Sequence, residues 1–136
     1  MSADCPLCHP DNENVLWQSP ELRIIRVEDP DYPAFLRVIW QEHVAEMSDL
    51  SPTARQLLMD AVYAAEGAVR DIAQPDKINL ASLGNMVPHV HWHVIGRYRH
   101  DKHFPNPVWG EPQRPSSHMP TFADDAFRLA LERRLG

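Results

Sequence analysis

The sequence predicts an α+β domain, and three observations carry that prediction. The front half alternates short apolar runs with turn signals. One long segment repeats apolar side chains at helical spacing, and the stretch from His89 to Ile95 alternates polar and apolar residues without a break.

Val15 to Gln18 is the first strand by this pattern, closed by Ser19-Pro20, and Leu22 to Val27 is the second. Their short connection predicts a hairpin and hence an antiparallel sheet. Glu28-Asp29-Pro30-Asp31-Tyr32-Pro33 is a turn cluster, and Ala34 to Trp40 reads as the third strand. Ser51-Pro52 starts a helix: serine caps the first free N–H groups, and proline at the first helical position loses no hydrogen bond. Leu57, Leu58, Ala61, Val62, Ala65, Ala68, Val69 and Ile72 then form one stripe, ending near Ala73 ahead of Pro75. Lys77 to Leu83 and His89 to Tyr98 read as two further strands, so about five strands share one long helix. From His100 to Pro120 the chain is proline-rich and aperiodic, and Thr121 to Leu135 suits a short terminal helix.

Composition narrows the partners. The 136 residues are 43% hydrophobic and 24% charged, as in one globular domain. Thirteen Lys and Arg against 19 Asp and Glu leave a net charge of −6, which argues against a broad basic face for nucleic acid. A small anion in a locally positive cleft is compatible with that sign. No apolar run approaches the ~18 residues of a membrane span, so no membrane partner is expected. The opening Met1-Ser2-Ala3-Asp4-Cys5 lacks the apolar core of a secretion signal, and two cysteines make no disulfide framework, so a cytoplasmic location is expected.

The chemistry concentrates in His89-Val90-His91-Trp92-His93-Val94-Ile95. A strand over these residues puts His89, His91 and His93 on one face and Val90, Trp92 and Val94 on the other. The apolar face suits the helix stripe. The imidazole face suits a solvated strand, a metal site of the cupin kind, or metal-free nucleophilic catalysis, in which a neutral imidazole attacks phosphorus beside groups that neutralise phosphoryl charge. A cupin usually wants a Glu soon after its histidine pair, and none follows His93 before Glu111. The cationic stretch Arg97, Arg99, His100, Lys102, His103 fits an anionic ligand. Cys5-Pro6-Leu7-Cys8-His9 matches a haem-attachment pattern, a redox pair or a zinc half-site. Zinc suits it best, since a two-residue spacer lets both thiolates reach one ion. Trp109, within Asn106-Pro107-Val108-Trp109-Gly110, suits stacking on a base or packing against a second subunit, and ordinary packing of the tail onto its own domain is the simplest reading.

The alternating stretch resembles the signature of the histidine-triad (HIT) superfamily, His-φ-His-φ-His-φ-φ with φ hydrophobic. Asn79 to Pro88 is similar to that family's run into the triad, with Gly84-Asn85 where Gly-Gln is usual. Pro33 to His43 resembles the segment that ends in Lys-x-His, with Phe35 where many members have another histidine and Trp40-Gln41 where Pro-Lys is usual. The whole looks most like the bacterial diadenosine-tetraphosphate-hydrolase-like branch. The resemblance implies a HIT-like catalytic domain over 1–100, with the extension and terminal helix of 101–136 part of the same single domain. It implies a hydrolase or transferase that cleaves the α-phosphate bond of a nucleotidyl conjugate, a dinucleoside polyphosphate or a nucleoside phosphoramidate. By position, His91 is the nucleophile that carries a nucleotidyl-histidine intermediate, His93 and Asn85 contact phosphate and leaving group, and His89 supports them. Asn79, Ser82 and Arg97 are expected to bind substrate. The ribose-binding carboxylate falls at Glu28 or its neighbour Asp29, and Glu28 is the site residue taken. The resemblance also implies a homodimer, no catalytic cofactor, and a structural zinc on Cys5, Cys8, His43 and His89. The alternative expectation is a nucleotide-binding or scaffold protein with little turnover.

Overall fold

In a computed structural model, which describes residues 3–136, the strands are β1 (Asn14–Gln18), β2 (Leu22–Arg26), β3 (Phe35–Trp40), β4 (Lys77–Ala81) and β5 (His91–Arg97), and the helices α1 (Pro52–Ala73) and α2 (Asp124–Leu135). The strands form one antiparallel five-stranded sheet in the order β1-β2-β3-β5-β4. The α+β fold with one long helix and a short terminal one is therefore the fold the sequence predicts. A short 3-10 turn at Met47–Asp49 is added ahead of α1.

α1 begins as its first residues require. Ser51 Oγ accepts from the Ala54 amide at 3.1 Å with Pro52 at the first helical position. It stops at Gln74, which adopts a left-handed conformation with φ 46°. Leu58, Ala61, Val62, Ala65, Ala68 and Val69 bury the stripe against one face of the sheet, where Leu22, Ile24, Leu36, Val38, Val90 and Val94 meet it. β5 comes especially close to the helix at Gly96, where any Cβ would lie 3.2 Å from both Ala34 Cβ and Val69 Cγ1. α2 packs on α1 and β1 through Phe127, Ala130 and Leu131.

The opposite face of the sheet is the one that matters for chemistry. Strand alternation sends Phe35, Arg37 and Ile39 of β3, and His91, His93 and Ile95 of β5, to that side. Two irregular segments cover it: the N-terminal turn at residues 5–8 and the proline-rich extension after β5. Arg23 holds the first in place by donating from Nη2 to the Leu7 carbonyl at 2.9 Å and pairing with Glu13.

Candidate functional site

β5 starts at His91, two residues later than the alternation alone predicts. Val90 is still held on both sides, its N–H donating to the Val44 carbonyl and its carbonyl accepting from Trp40 N–H. His89, fully buried, turns its ring away from the strand face toward the cysteines. The three imidazoles therefore split into a pair and a single residue, rather than lining one face together.

His91 and His93 form the pair, with ring centroids 5.0 Å apart. His91 Nδ1 lies 2.6 Å from the His89 carbonyl. A carbonyl only accepts, so Nδ1 carries the proton and Nε2 keeps its lone pair. Arg37, directly across from His93 in the β3–β5 register, donates from Nε to His93 Nδ1 at 3.3 Å. That bond puts the proton of neutral His93 on Nε2, as a donor. Desolvation, more than any other cause, pulls the pKa of His91 down, and the Arg37 charge adds to it. Desolvation, Arg37 and His91 together hold His93 at about 4. Both rings are neutral at pH 7, and Arg37 is the permanent cation beside them.

These side chains line a cleft of about 360 Å³ together with Leu7, Gly84, Asn85, Met86 and Trp109. Its floor is polar and cationic at Arg37, His91 and His93, and its rim is apolar at Leu83, Met86 and Trp109. That combination suits an anionic group with an apolar body attached.

A second cluster adjoins the first. One donor atom each from Cys5, Cys8, His43 and His89 lies within 4.8 Å of all the others. The S–N separations are 3.3 to 3.5 Å and the two Nδ1 atoms are 3.1 Å apart. A tetrahedral zinc with bonds of ~2.3 Å to sulfur and ~2.0 Å to nitrogen needs S–N edges of about 3.5 Å and an N–N edge of about 3.3 Å, so the donor set fits that ion. The turn is built for it: Cys8 and His9 N–H both donate to the Cys5 carbonyl. His89 Nε2 lies 2.5 Å from the Trp40 carbonyl, which fixes that proton and leaves Nδ1 bare toward the sulfurs. With all four positions filled by protein, a metal here has no open coordination site. His9, exposed, stands outside the cluster.

Several residues expected at the substrate lie elsewhere. Arg97 is fully buried in a two-point ion pair with Asp101, at 2.8 and 3.0 Å, and also donates to Asn79 Oδ1 and the Asn106 carbonyl. Arg97 and Asn79 are thus committed to each other and to the extension, not to a ligand. Ser82 Oγ donates to the His91 carbonyl at 2.7 Å and holds β5 rather than facing the cleft. Glu28 lines a separate hollow with Arg26, Asp29 and residues 119–124. Arg99 and His100 are exposed, and no member of the cationic stretch after Gly96 lines the triad cleft. The cation that does, Arg37, was readable as a lone charge alternating with Phe35 and Ile39, but only if the second face of β3 was known to be covered.

A sheet of this order, with His-x-His-x-His running from the approach to β5 into the strand itself, defines a histidine-triad fold. The HIT domain model matches residues 10–100, and the chain belongs to that family. The match excludes both cysteines and Trp109. A histidine triad protein from Bradyrhizobium japonicum is 27% identical over 92% of each chain, with a TM-score of 0.72. Another from Marinobacter aquaeolei is 25% identical over 90% of this chain and 91% of that one, with a TM-score of 0.74. A Zn-bound histidine triad family protein from Mycobacterium smegmatis shares the fold at 20% identity, with a TM-score of 0.64 over 96% of this chain and 94% of its own. No curated protein matches the chain significantly. No helix among the described residues is long and apolar enough to cross a membrane.

Proposed function

We propose that this HIT-domain protein cleaves the α-phosphate bond of a nucleotidyl conjugate, as in the diadenosine-tetraphosphate-hydrolase-like branch it resembles. The observation that carries the reading is the single lone pair on His91 Nε2, fixed by the His89 carbonyl and set in a cleft beside Arg37 and His93. Nε2 attacks the α-phosphorus, and the bond to the leaving group breaks with its electron pair on that group. The positive charge that develops on the His91 ring is shared with the His89 carbonyl through Nδ1–H. Arg37 neutralises the phosphoryl oxygens, and His93 Nε2–H and the Asn85 amide donate to oxygens or to the departing atom. Water or another acceptor then releases the nucleotide from His91.

The fit of the Cys5–Cys8–His43–His89 donor set supports a structural zinc, which would pin the N-terminal turn to the sheet and leave the reaction to the imidazoles. The homodimer and cytoplasmic location implied by the family belong to the same reading, and sedimentation of the purified protein tests the first. The test of the function is mass spectrometry of protein quenched with adenosine 5′-phosphoramidate or diadenosine tetraphosphate. An adenylyl adduct on His91, absent in His91→Ala, is expected. Equal nucleotide affinity with no adduct and no hydrolysis in either protein would favour a binding role instead.

A further inference from the structure

Trp109 lies beyond the stretch that the family model matches, yet it lines the cleft beside His93. Its ring centroid is 4.9 Å from that of His93 at 66°, edge to face, while 50% of the residue stays exposed. With the exposed Leu83 and Met86 the indole forms a continuous apolar rim to the cleft, and the segment that carries it is tightly held. Asp101, fully buried, pairs with Arg97 and accepts from the Tyr98, His103 and Phe104 amides. Arg114 donates to the Asp101 and Phe104 carbonyls, and Arg97 to that of Asn106. A turn with Gly110 N–H on the Pro107 carbonyl sets the indole over His93. Gly110 suits that turn, since a Cβ there would lie 3.3 Å from the same carbonyl oxygen.

We propose that Trp109 is a specificity-determining residue: its exposed face stacks on a planar ring carried by the substrate's leaving group. This rests on the reaction proposed above, in which His93 donates to the phosphate oxygens or to the departing atom. Because Trp109 touches His93 itself, the ring it selects lies close to the reacting phosphorus, as in an aryl or arylalkyl phosphoramidate. Leu83 and Met86, both exposed at the rim, extend the same apolar wall. The neutral His93 ring beneath Trp109 places no competing cation on the stacking surface.

The test compares the phosphoramidates of adenosine 5′-monophosphate with ammonia, cyclohexylmethylamine and benzylamine, which differ in bulk and aromaticity at one position. Wild type should favour the benzylamide over the cyclohexylmethylamide in kcat/KM by about ten-fold, within the range of ring stacking on an aromatic side chain. Trp109→Phe should keep that preference and Trp109→Leu should lose it, with melting temperatures reporting that both variants fold. An unchanged ratio in the leucine variant overturns the proposal. If wild type cleaves none of the three, the reaction itself is wrong, and stacking is then read from binding. Benzylamide quenching of tryptophan fluorescence in wild type that vanishes in Trp109→Phe supports it, and equal quenching in both overturns it.

Discussion

At the scale of single residues, the site separates two jobs that a histidine cluster could have shared. A protonated neighbour is one source of positive charge beside a nucleophilic imidazole, but burial and Arg37 hold His93 neutral, at about 4. The fixed charge therefore comes from Arg37, which stays ionised throughout. Replacing it with methionine should lower kcat/KM on a nucleotidyl substrate by ~100-fold or more, the scale of losing one preset donor. The same variant should raise the His93 pKa, read by NMR titration, because the Arg37 charge is one of the causes of its depression. Stability carries a matching signature. Between about 6.5, the ordinary histidine value, and about 4, the unfolded chain binds a proton at His93 that the folded one does not. Stability is therefore present above that window and falls as pH drops through it. Denaturant midpoints at pH 7 and pH 5 should differ more in wild type than in His93→Gln, and an unchanged difference would show that His93 is not the group responsible.

At the scale of elements, the cysteine turn, the segment after β3 and the approach to β5 meet at one point. Cys5 and Cys8 come from the first, His43 from the second and His89 from the third. The carbonyl of His89 then sets the tautomer of His91, so a metal at this junction would fix the His91 proton from outside the cleft. Elemental content should be one zinc per chain in wild type and none in the Cys5→Ser, Cys8→Ser double variant. Chelation should lower the melting temperature of wild type and leave that of the double variant unmoved. A wild-type melting temperature indifferent to chelator would remove the structural metal. α1 offers a simpler case: Ser51→Ala should cost about 1 kcal/mol in a denaturant titration, the usual loss on removing a serine cap.

At the scale of the whole molecule, the sheet divides two functions between its faces. One face buries an apolar core under α1 and α2. The other is roofed by chain from both ends, and the roof is where the cleft forms. The Arg97–Asp101 pair, with Arg97 also donating to the Asn106 carbonyl, ties the extension to β5. Asp101→Asn should destabilise the protein by ~3–5 kcal/mol, because it leaves a buried guanidinium without its counter-charge. It should also expose 102–114 to protease before the rest of the chain. Equal cleavage rates in wild type and variant would show that the extension is held by other contacts.

Apolar runs bounded by turn signals, one helical stripe with its Ser-Pro cap and one alternating stretch were enough to place the strands and the long helix, since burying one face of each element leaves little choice of partner. Alternation likewise made His91 and His93 legible as neighbours on one face, and the cysteine spacing made a metal half-site legible. Three matters were decided only by tertiary structure. The strand began only at His91, because the Val90 backbone was taken up by Trp40 and Val44 and the His89 N–H by the Val87 carbonyl, while the His89 ring turned to the cysteines. Arg97, the most prominent cation near the triad in sequence, was consumed by Asp101, while Arg37, more than fifty residues away from His93 along the chain, became its neighbour through strand pairing. Trp109 met His93 only because an irregular segment without periodicity folded back over the sheet. Sequence encodes which face of an element is apolar; which charge meets which partner across that face depends on register and on loops, and neither leaves a periodic trace.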